Sequence, residues 1–132
     1  MSRPIKKRSH DGATAAGPGA ETRTKGHKVV GIFVSAPNVE PSVDTVNVEI
    51  EVSPDGEHWA SVNEGGGDRG SVSTVDFNEN GNAYVVVDGI AADYARSRIT
   101  EYNDASGGDL EVDAWLMATG WTGSGNAFEF IG

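Results

Sequence analysis

The stretch VDTVNVEIEV, residues 43–52, decides the fold, because from Val46 onward it alternates apolar and polar side chains without interruption. A repeat of two residues places the apolar side chains on one face of an extended strand and the polar side chains on the other. We therefore predict a half-buried strand. Its apolar face consists of Val46, Val48, Ile50 and Val52.

The residues that follow this strand predict a β-hairpin. SPDG (53–56) is typical of a tight turn, since Pro54 fixes its own φ and Gly56 tolerates a positive φ. EHWASV (57–62) then predicts the returning strand. Further along, NENGN (78–82) has the residues that a hairpin turn prefers.

Similar short segments recur along the chain, and none shows a convincing helical repeat. The further predicted strands are residues 28–35, 71–77, 83–90, 93–102, 109–119 and 126–131. About eight short strands separated by turns predict an all-β fold, an antiparallel two-sheet β-sandwich or jelly roll. The predicted core side chains are Val30, Ile32, Val46, Val48, Ile50, Val52, Trp59, Val75, Phe77, Tyr84, Val86, Ile99, Val112, Trp115 and Phe128.

The charge of the chain changes sign near residue 28. Residues 1–28 carry seven lysines and arginines against two acids, whereas residues 29–132 carry three arginines against eighteen acids. Such a contrast usually separates an arm from a folded body. We therefore predict a basic, extended N-terminal arm at residues 1–28 and the β-sandwich domain at 29–132. Residues 9–26 are small or polar, so an isolated arm should be disordered.

Composition excludes several classes of protein. The chain has no cysteine, which excludes disulfides, thiolate metal sites and a cysteine nucleophile. It has no apolar run long enough for a membrane span, and its basic start lacks the apolar segment of a secretory signal. No lysine follows Lys28 while acids are abundant, which favours an intracellular, high-salt origin.

Two loops match known ligand motifs in part. Gly65, Gly67 and Gly70 have the spacing of a dinucleotide fingerprint, but a strand pattern follows where that motif needs a helix. The residues Asp76, Asn78 and Asn80 match the first half of a calcium loop, yet Val87 stands where a bidentate glutamate is required. Both stretches are better explained as turns, and these three residues are only a weak metal candidate.

No catalytic constellation is evident either. The three histidines, His10, His27 and His58, are scattered without ligand spacing. The serines lack the context of a nucleophile elbow, and the many carboxylates are more typical of a solvated surface than of an acid–base pair. We therefore expect no enzymatic activity, no metal and no cofactor.

The basic arm is the predicted partner-binding element. Its candidate residues are Arg3, Lys6, Lys7, Arg8, Arg23 and Lys25. Nucleic acid is disfavoured because the arm has no interleaved aromatics and the body is strongly acidic. An acidic protein surface is the favoured partner, and an unbound solubilising tail is the third alternative. Trp121 lies in a glycine-rich stretch and is a possible surface aromatic.

Two stretches carry a resemblance to a family. VNVEIEVSPDGEHWASV (46–62) has an alternating strand, then S-x-D-G-x-x-W, then a returning strand. AYVVVDGIAADYARSRITEYNDASGGDLEVDAWL (83–116) extends the pattern with a strand, a glycine-rich turn and a closing strand. Over residues 28–118 the chain resembles small β-sandwich structural proteins of tailed-virus particles. The first motif also occurs in carbohydrate-binding and immunoglobulin-like modules.

The resemblance implies a non-enzymatic virion structural protein, and the acidic composition suggests a virus of a halophilic archaeon. We expect a capsid-decorating subunit, homo-oligomeric and held by its arm to the major capsid protein or other virion proteins. A tail or neck position is an alternative within the same class. A carbohydrate-binding module with an exposed Trp121 or Tyr102, and an internal DNA-facing virion protein, are the rival hypotheses.

Overall fold

The computed structural model describes residues 4–63 and 69–120, and these form ten strands and one 3₁₀ turn at Thr74–Asp76. Four of the strands have only two residues each. In chain order the strands are β1 (Ile5–Ala13), β2 (Gly17–Pro18), β3 (Thr22–Arg23), β4 (Val29–Ser35), β5 (Thr45–Ser53), β6 (Ala60–Ser61), β7 (Ser71–Val72), β8 (Asn82–Val87), β9 (Tyr94–Asn103) and β10 (Val112–Thr119).

The strands form two antiparallel sheets. The four-stranded sheet has the order β1-β10-β4-β8. The six-stranded sheet has the order β2-β9-β5-β6, with β3 also paired to β9 and β7 also paired to β5. This arrangement confirms the predicted all-β sandwich. In the described ranges no helix is long and apolar enough to cross a membrane.

The predicted central strand and its turn are confirmed. Val46, Val48 and Ile50 on β5 are fully buried. Gly56 takes a φ of +82°, and its N–H donates a hydrogen bond of 2.8 Å to Ser53 Oγ, which closes the SPDG turn. The alternation therefore identified both the strand and the face that it buries.

The core lies between the inner faces of the two sheets. The four-stranded sheet contributes every second residue of β4 and β10, and the six-stranded sheet contributes those of β5 and β9. Its fully buried large side chains include Val30, Ile32, Val34, Val46, Val48, Ile50, Val72, Ile99, Leu110, Val112 and Leu116.

The N-terminal segment differs from the expected separate arm. β1 pairs with β10 in the four-stranded sheet, while β2 and β3 pair with β9 in the six-stranded sheet. Residues 5–23 thus cross from one sheet to the other. A polar segment adopts this position because strand pairing satisfies its backbone donors and acceptors and does not require large apolar side chains.

A buried polar cluster joins the two sheets where β1 crosses β9. His10 Nδ1 lies 2.7 Å from Ser97 Oγ, and Ser97 Oγ lies 2.8 Å from Ser9 Oγ. His10 Nε2 lies 3.2 Å from the carbonyl oxygen of Gly17. Burial lowers the pKa of His10 below its ordinary value of 6.5, and the Gly17 carbonyl partly opposes that effect.

The stability of the domain should fall as the pH drops below about 6.5. Unfolded chains bind a proton at His10 more readily than the folded chain does in this range, so protonation favours unfolding. One such group contributes a slope of at most about 1.4 kcal/mol per pH unit. Urea unfolding of the wild type and of His10→Gln at pH 7.5, 6.5, 5.5 and 5.0 measures how the free energy of unfolding of each protein depends on pH. A constant difference between the two proteins across this range would contradict the prediction.

The predicted strand at 71–77 is shorter than expected, and Val75 is not a core residue. β7 ends at Val72, and the Ser73 N–H donates a hydrogen bond of 2.8 Å to Asp76 Oδ2, which begins the 3₁₀ turn. This local hydrogen bond between a backbone N–H and a side chain competes with strand extension. Val75 therefore points outward with 86% of its surface exposed, and Phe77 returns to the core.

Gly81 closes the hairpin that leads into β8, and replacing it should be costly. Its φ is +79°, and an added Cβ would lie 2.4 Å from the carbonyl oxygen of Ala36. Gly89 has the same φ but open space around it, so Gly89→Ala is a matched control. We expect Gly81→Ala to lower the free energy of unfolding by about 2 kcal/mol more than the control, through the added overpacking. Equal losses in urea titrations would refute this.

Candidate functional site

The outer surface of the four-stranded sheet carries a continuous row of apolar side chains. Strand register places Trp115 on β10 beside Phe33 on β4, and Phe33 beside Tyr84 on β8. Two residues further along each strand, Met117 pairs with Gly31, and Gly31 pairs with Val86. We call this surface the aromatic face, and define it by Phe33, Tyr84, Val86, Trp115 and Met117.

The three rings contact one another across three strands. The centroids of Phe33 and Tyr84 lie 6.5 Å apart with ring planes 12° from parallel. The centroids of Phe33 and Trp115 lie 6.0 Å apart with planes at 69°, an edge-to-face contact. Both separations fall in the range of favourable aromatic pairs. The rings thus hold each other in place on a rigid sheet.

The sequence predicted Trp115, Tyr84 and Val86 as core residues, and this was wrong. On β10 the buried phase consists of Val112, Ala114, Leu116 and Ala118, so Trp115 lies on the opposite face and is only half-buried. Tyr84 is 68% exposed and Val86 50% exposed. Both belong to β8, where apolar residues occupy both phases of the strand.

Two predicted cations border the aromatic face on β1. Lys6 is in register with Met117, and Arg8 is in register with Trp115. The guanidinium carbon of Arg8 lies 4.4 Å from the Trp115 ring centroid, a cation–π contact. Arg8 Nη1 also lies 2.8 Å from Asp11 Oδ1. Arg8 Nη1 lies 3.4 Å from Asp113 Oδ1 as well. Carboxylates therefore border the aromatic face on the β1 side together with the two cations.

A glycine keeps part of the face concave. A hollow of about 340 Å³ lies over Gly31, and its lining includes Val86, Met117 and the apolar part of Lys6. An added Cβ on Gly31 would lie 2.9 Å from the Val85 carbonyl oxygen and 3.0 Å from Val86 Cγ2. A larger residue at position 31 would therefore crowd β8, and its side chain would reduce the hollow.

The outer surface of the six-stranded sheet is charged instead. Arg96 Nε lies 2.8 Å from Glu51 Oε1 in a mostly buried ion pair, and Arg98 Nη1 lies 3.7 Å from the same oxygen. The Arg96 guanidinium carbon lies 3.9 Å from the Trp59 ring centroid. Trp59 is thus half-buried on this outer surface. Its prediction as a core residue was wrong.

The other predicted site residues are spread out. Lys6, Lys7 and Arg8 lie together on β1, whereas Arg23 lies on β3 and Lys25 follows it on the side of the six-stranded sheet. The structure therefore unites half of the predicted basic set. The predicted residues Arg3, Trp121 and Phe128 lie outside the described residues.

The weak metal candidates serve the hairpin turn. Asn78 Oδ1 accepts hydrogen bonds from the N–H groups of Asn80 and Asn82, at 2.9 and 3.0 Å. The Asp76 carboxylate accepts from the N–H and hydroxyl of Ser73. Across residues 4–63 and 69–120, no group of three or more potential ligands is placed to hold a metal ion.

Tyr102, an aromatic named for a carbohydrate site, does not offer its polar end to solvent. Its hydroxyl donates a hydrogen bond to the carbonyl oxygen of Leu110, and the ring is half-buried. Burial raises the pKa of Tyr102, and the nearby carboxylates of Asp104 and Asp44 raise it further. The residue therefore supports the loop that precedes β10.

The fold defines this chain as a two-sheet antiparallel β-sandwich with an exposed aromatic face. No family model and no curated protein sequence matches it. Among solved structures it is similar to the SPBc2 prophage-derived protein YomS, with a TM-score of 0.55 and 15% sequence identity. The match covers 89% of this chain and 96% of that one. At this identity the similarity shows a shared fold, and the neighbour is phage-related.

Proposed function

We propose that this chain is a non-enzymatic structural protein of a tailed-virus particle, most specifically a subunit that decorates and stabilises the capsid. The observation that carries the proposal is the aromatic face on a rigid sheet, bordered by Lys6 and Arg8. The phage-related structural neighbour supports the same class. A tail or neck position would use the same surface.

The aromatic face has the composition of a protein-docking surface. Aromatic residues, methionine and arginine are enriched at protein interfaces, and lysine and acids are depleted from their centres. Here Phe33, Tyr84 and Trp115 form the centre, Met117 lies beside them, and Arg8 lies at the border. Exposed apolar patches bordered by polar residues mark interaction sites in soluble proteins.

The proposed high-salt setting also favours an apolar contact. At molar salt the screening length falls to about 3 Å, so exposed ion pairs contribute little. The free energy gained by burying Trp115 and Phe33 persists under these conditions, because it depends on apolar area and not on charge. We therefore assign affinity to the aromatic face, and assign only a minor orienting role to Lys6 against carboxylates of the capsid protein.

The N-terminal segment would contribute to this attachment as part of the sandwich. Its basic residues on β1 are held in fixed positions next to Trp115 and Met117 by strand pairing. A partner that binds them does not have to order a flexible chain, which removes part of the entropic cost of binding. The proposed anchor is thus a rigid, cationic border rather than a tether.

A carbohydrate-binding module is the second candidate, because the planes of the Phe33 and Tyr84 rings are nearly parallel on an exposed sheet surface. Sugars need convergent polar groups beside such rings. The hollow next to them is lined instead by Val86, Met117 and Gly31. The apolar surroundings favour a protein ligand.

Add-back to particles tests the proposal. Particles from a strain that lacks this gene are mixed with the purified full chain at the salt concentration of growth, then separated by density. We expect the chain to co-migrate with the particles and to saturate at a fixed number of copies. Failure to bind, or binding that a soluble glycan removes, would overturn the capsid-protein assignment.

A further inference from the structure

The two outer strands of the four-stranded sheet are unequal. Edge strands present unpaired backbone groups, and soluble proteins protect them with lysines, bulges or inward charges. β1 has this protection, since Lys6, Lys7 and Arg8 are consecutive and its pairing with β10 shifts register twice. β1 is therefore poorly suited to accept another strand.

β8 lacks that protection. Its six residues, NAYVVV, include no charge and no proline. It pairs with β4 in continuous register from Asn82 to Val87, without a bulge. In the described part of the chain β8 is the other edge of the sheet, and its side chains Tyr84 and Val86 are well exposed. It has the properties of an edge that accepts a partner strand.

We propose that β8 pairs antiparallel with β8 of a second copy of this chain, across a twofold axis. Two identical edge strands satisfy each other's backbone groups, and the contact closes without leaving a further free site. Local charge does not oppose a second copy at this place. The chain carries a formal net charge of −10, so two copies repel over most of their surfaces, but β8 itself is uncharged.

The side-chain pattern fits such a pair. With the axis at Val85, Tyr84 of each copy lies opposite Val86 of the other, and Ala83 lies opposite Val87. Tyr84 and Val86 are both exposed and Ala83 and Val87 are both buried, so each pair shares one face. Asp88 of one copy then lies opposite Asn82 of the other, so two acids do not face each other. The strand pairing ends before this position, because the Asn82 N–H and carbonyl oxygen are already bonded to Asn78 of the same copy.

The dimer would extend the aromatic face. A continuous eight-stranded sheet places the Phe33 and Tyr84 pairs of both copies on one surface, and leaves the cationic β1 strands at its two ends. This inference does not rest on the proposed virion function, because it concerns the purified chain alone.

Sedimentation of the full chain over a range of concentrations tests the pairing. We expect the wild type to reach the dimer mass, and Val86→Lys to raise the dimer dissociation constant at least tenfold by placing a charge at the strand contact. Val43→Lys is the matched control, since Val43 is also 50% exposed but lies outside β8, and it should dimerise like the wild type. A monomeric wild type, or a Val86→Lys protein that dimerises normally, would overturn the proposal.

Hydrogen exchange of the wild type gives an answer even if Val86→Lys folds poorly. Dilution from dimer to monomer should increase the exchange rates of β8 backbone amides, while the β1 amides keep theirs. Unchanged β8 exchange between dimer and monomer would show that another surface forms the contact and would also overturn the proposal.

Discussion

A chain that lacks residues 2–13 will lose its cooperative unfolding transition. This deletion removes the nine residues of β1, a strand that pairs with β10 and whose Ile5 packs against the core. It also leaves the Ser97 hydroxyl and N–H without Ser9 and His10. Each lost hydrogen bond costs about 1 kcal/mol, and a domain has only about 5–15 kcal/mol of stability in total. Urea unfolding followed by circular dichroism measures the loss.

A variant that changes only the charges distinguishes the contribution of β1 strand pairing to stability from that of its cations. The triple change of Lys6, Lys7 and Arg8 to glutamine keeps the backbone of β1, so its free energy of unfolding should stay within about 1 kcal/mol of the wild type. A truncated protein that unfolds cooperatively near the wild-type midpoint would instead mean that the segment is a dispensable arm.

Trp115→Ala should weaken attachment to particles more than any other single change on the sandwich surface. Trp115 contacts both the Arg8 guanidinium and the Phe33 ring, and with Phe33 and Met117 it lines a second hollow, separate from the one over Gly31. Central tryptophans at interfaces often contribute 2 kcal/mol or more, which corresponds to a dissociation constant about 30-fold higher. Equilibrium binding of the purified variant to particles that lack the chain measures this change.

Trp59→Ala is the matched control for this measurement. Trp59 is likewise half-buried and likewise lies under an arginine, but on the outer surface of the six-stranded sheet. Both variants lose a cation–π contact, so a general loss of stability would affect them similarly. We expect Trp59→Ala to bind within about threefold of the wild type. If both changes weakened binding to particles equally, the aromatic face would not be the surface that attaches the chain.

The sequence was sufficient to predict a strand and its buried face where apolar and polar residues alternate strictly. β5 is the best example, since Val46, Val48 and Ile50 could face only the core. The same reasoning identified the turn at Gly56 and the hairpin at Asn78, where special backbone conformations require particular residues. These elements are decided locally, so no knowledge of the partner strands was needed.

The N-terminal segment could not be predicted in this way. Ser9 and His10 are buried through hydrogen bonds to Ser97, which lies 88 and 87 residues further along the chain. Composition describes only what a segment can bury by itself. Long-range pairing of polar strands leaves no periodic pattern in the sequence. The +5 charge of residues 1–28 therefore suggested an arm separate from the domain, whereas the structure makes this segment part of both sheets.

The candidate site was missed because the largest side chains of β10 lie on the outward face of the sheet, whereas large apolar side chains usually lie in the core. On β10 both faces of the strand carry apolar residues. The small Ala114 and Ala118 lie on the buried face, while the large Trp115 lies on the outward face. A preference for large residues in the core selects the wrong phase. Only the register with Phe33 and Tyr84 reveals that three rings share the outer surface.

The central claim is tested most directly by counting copies of this chain in purified native particles. Quantitative mass spectrometry against labelled peptides of this chain and of the major capsid protein gives their ratio. A structural subunit predicts a fixed, reproducible ratio that survives density purification at high salt. Absence of the chain from infectious particles, or a ratio that falls steadily with each purification step, would contradict the account.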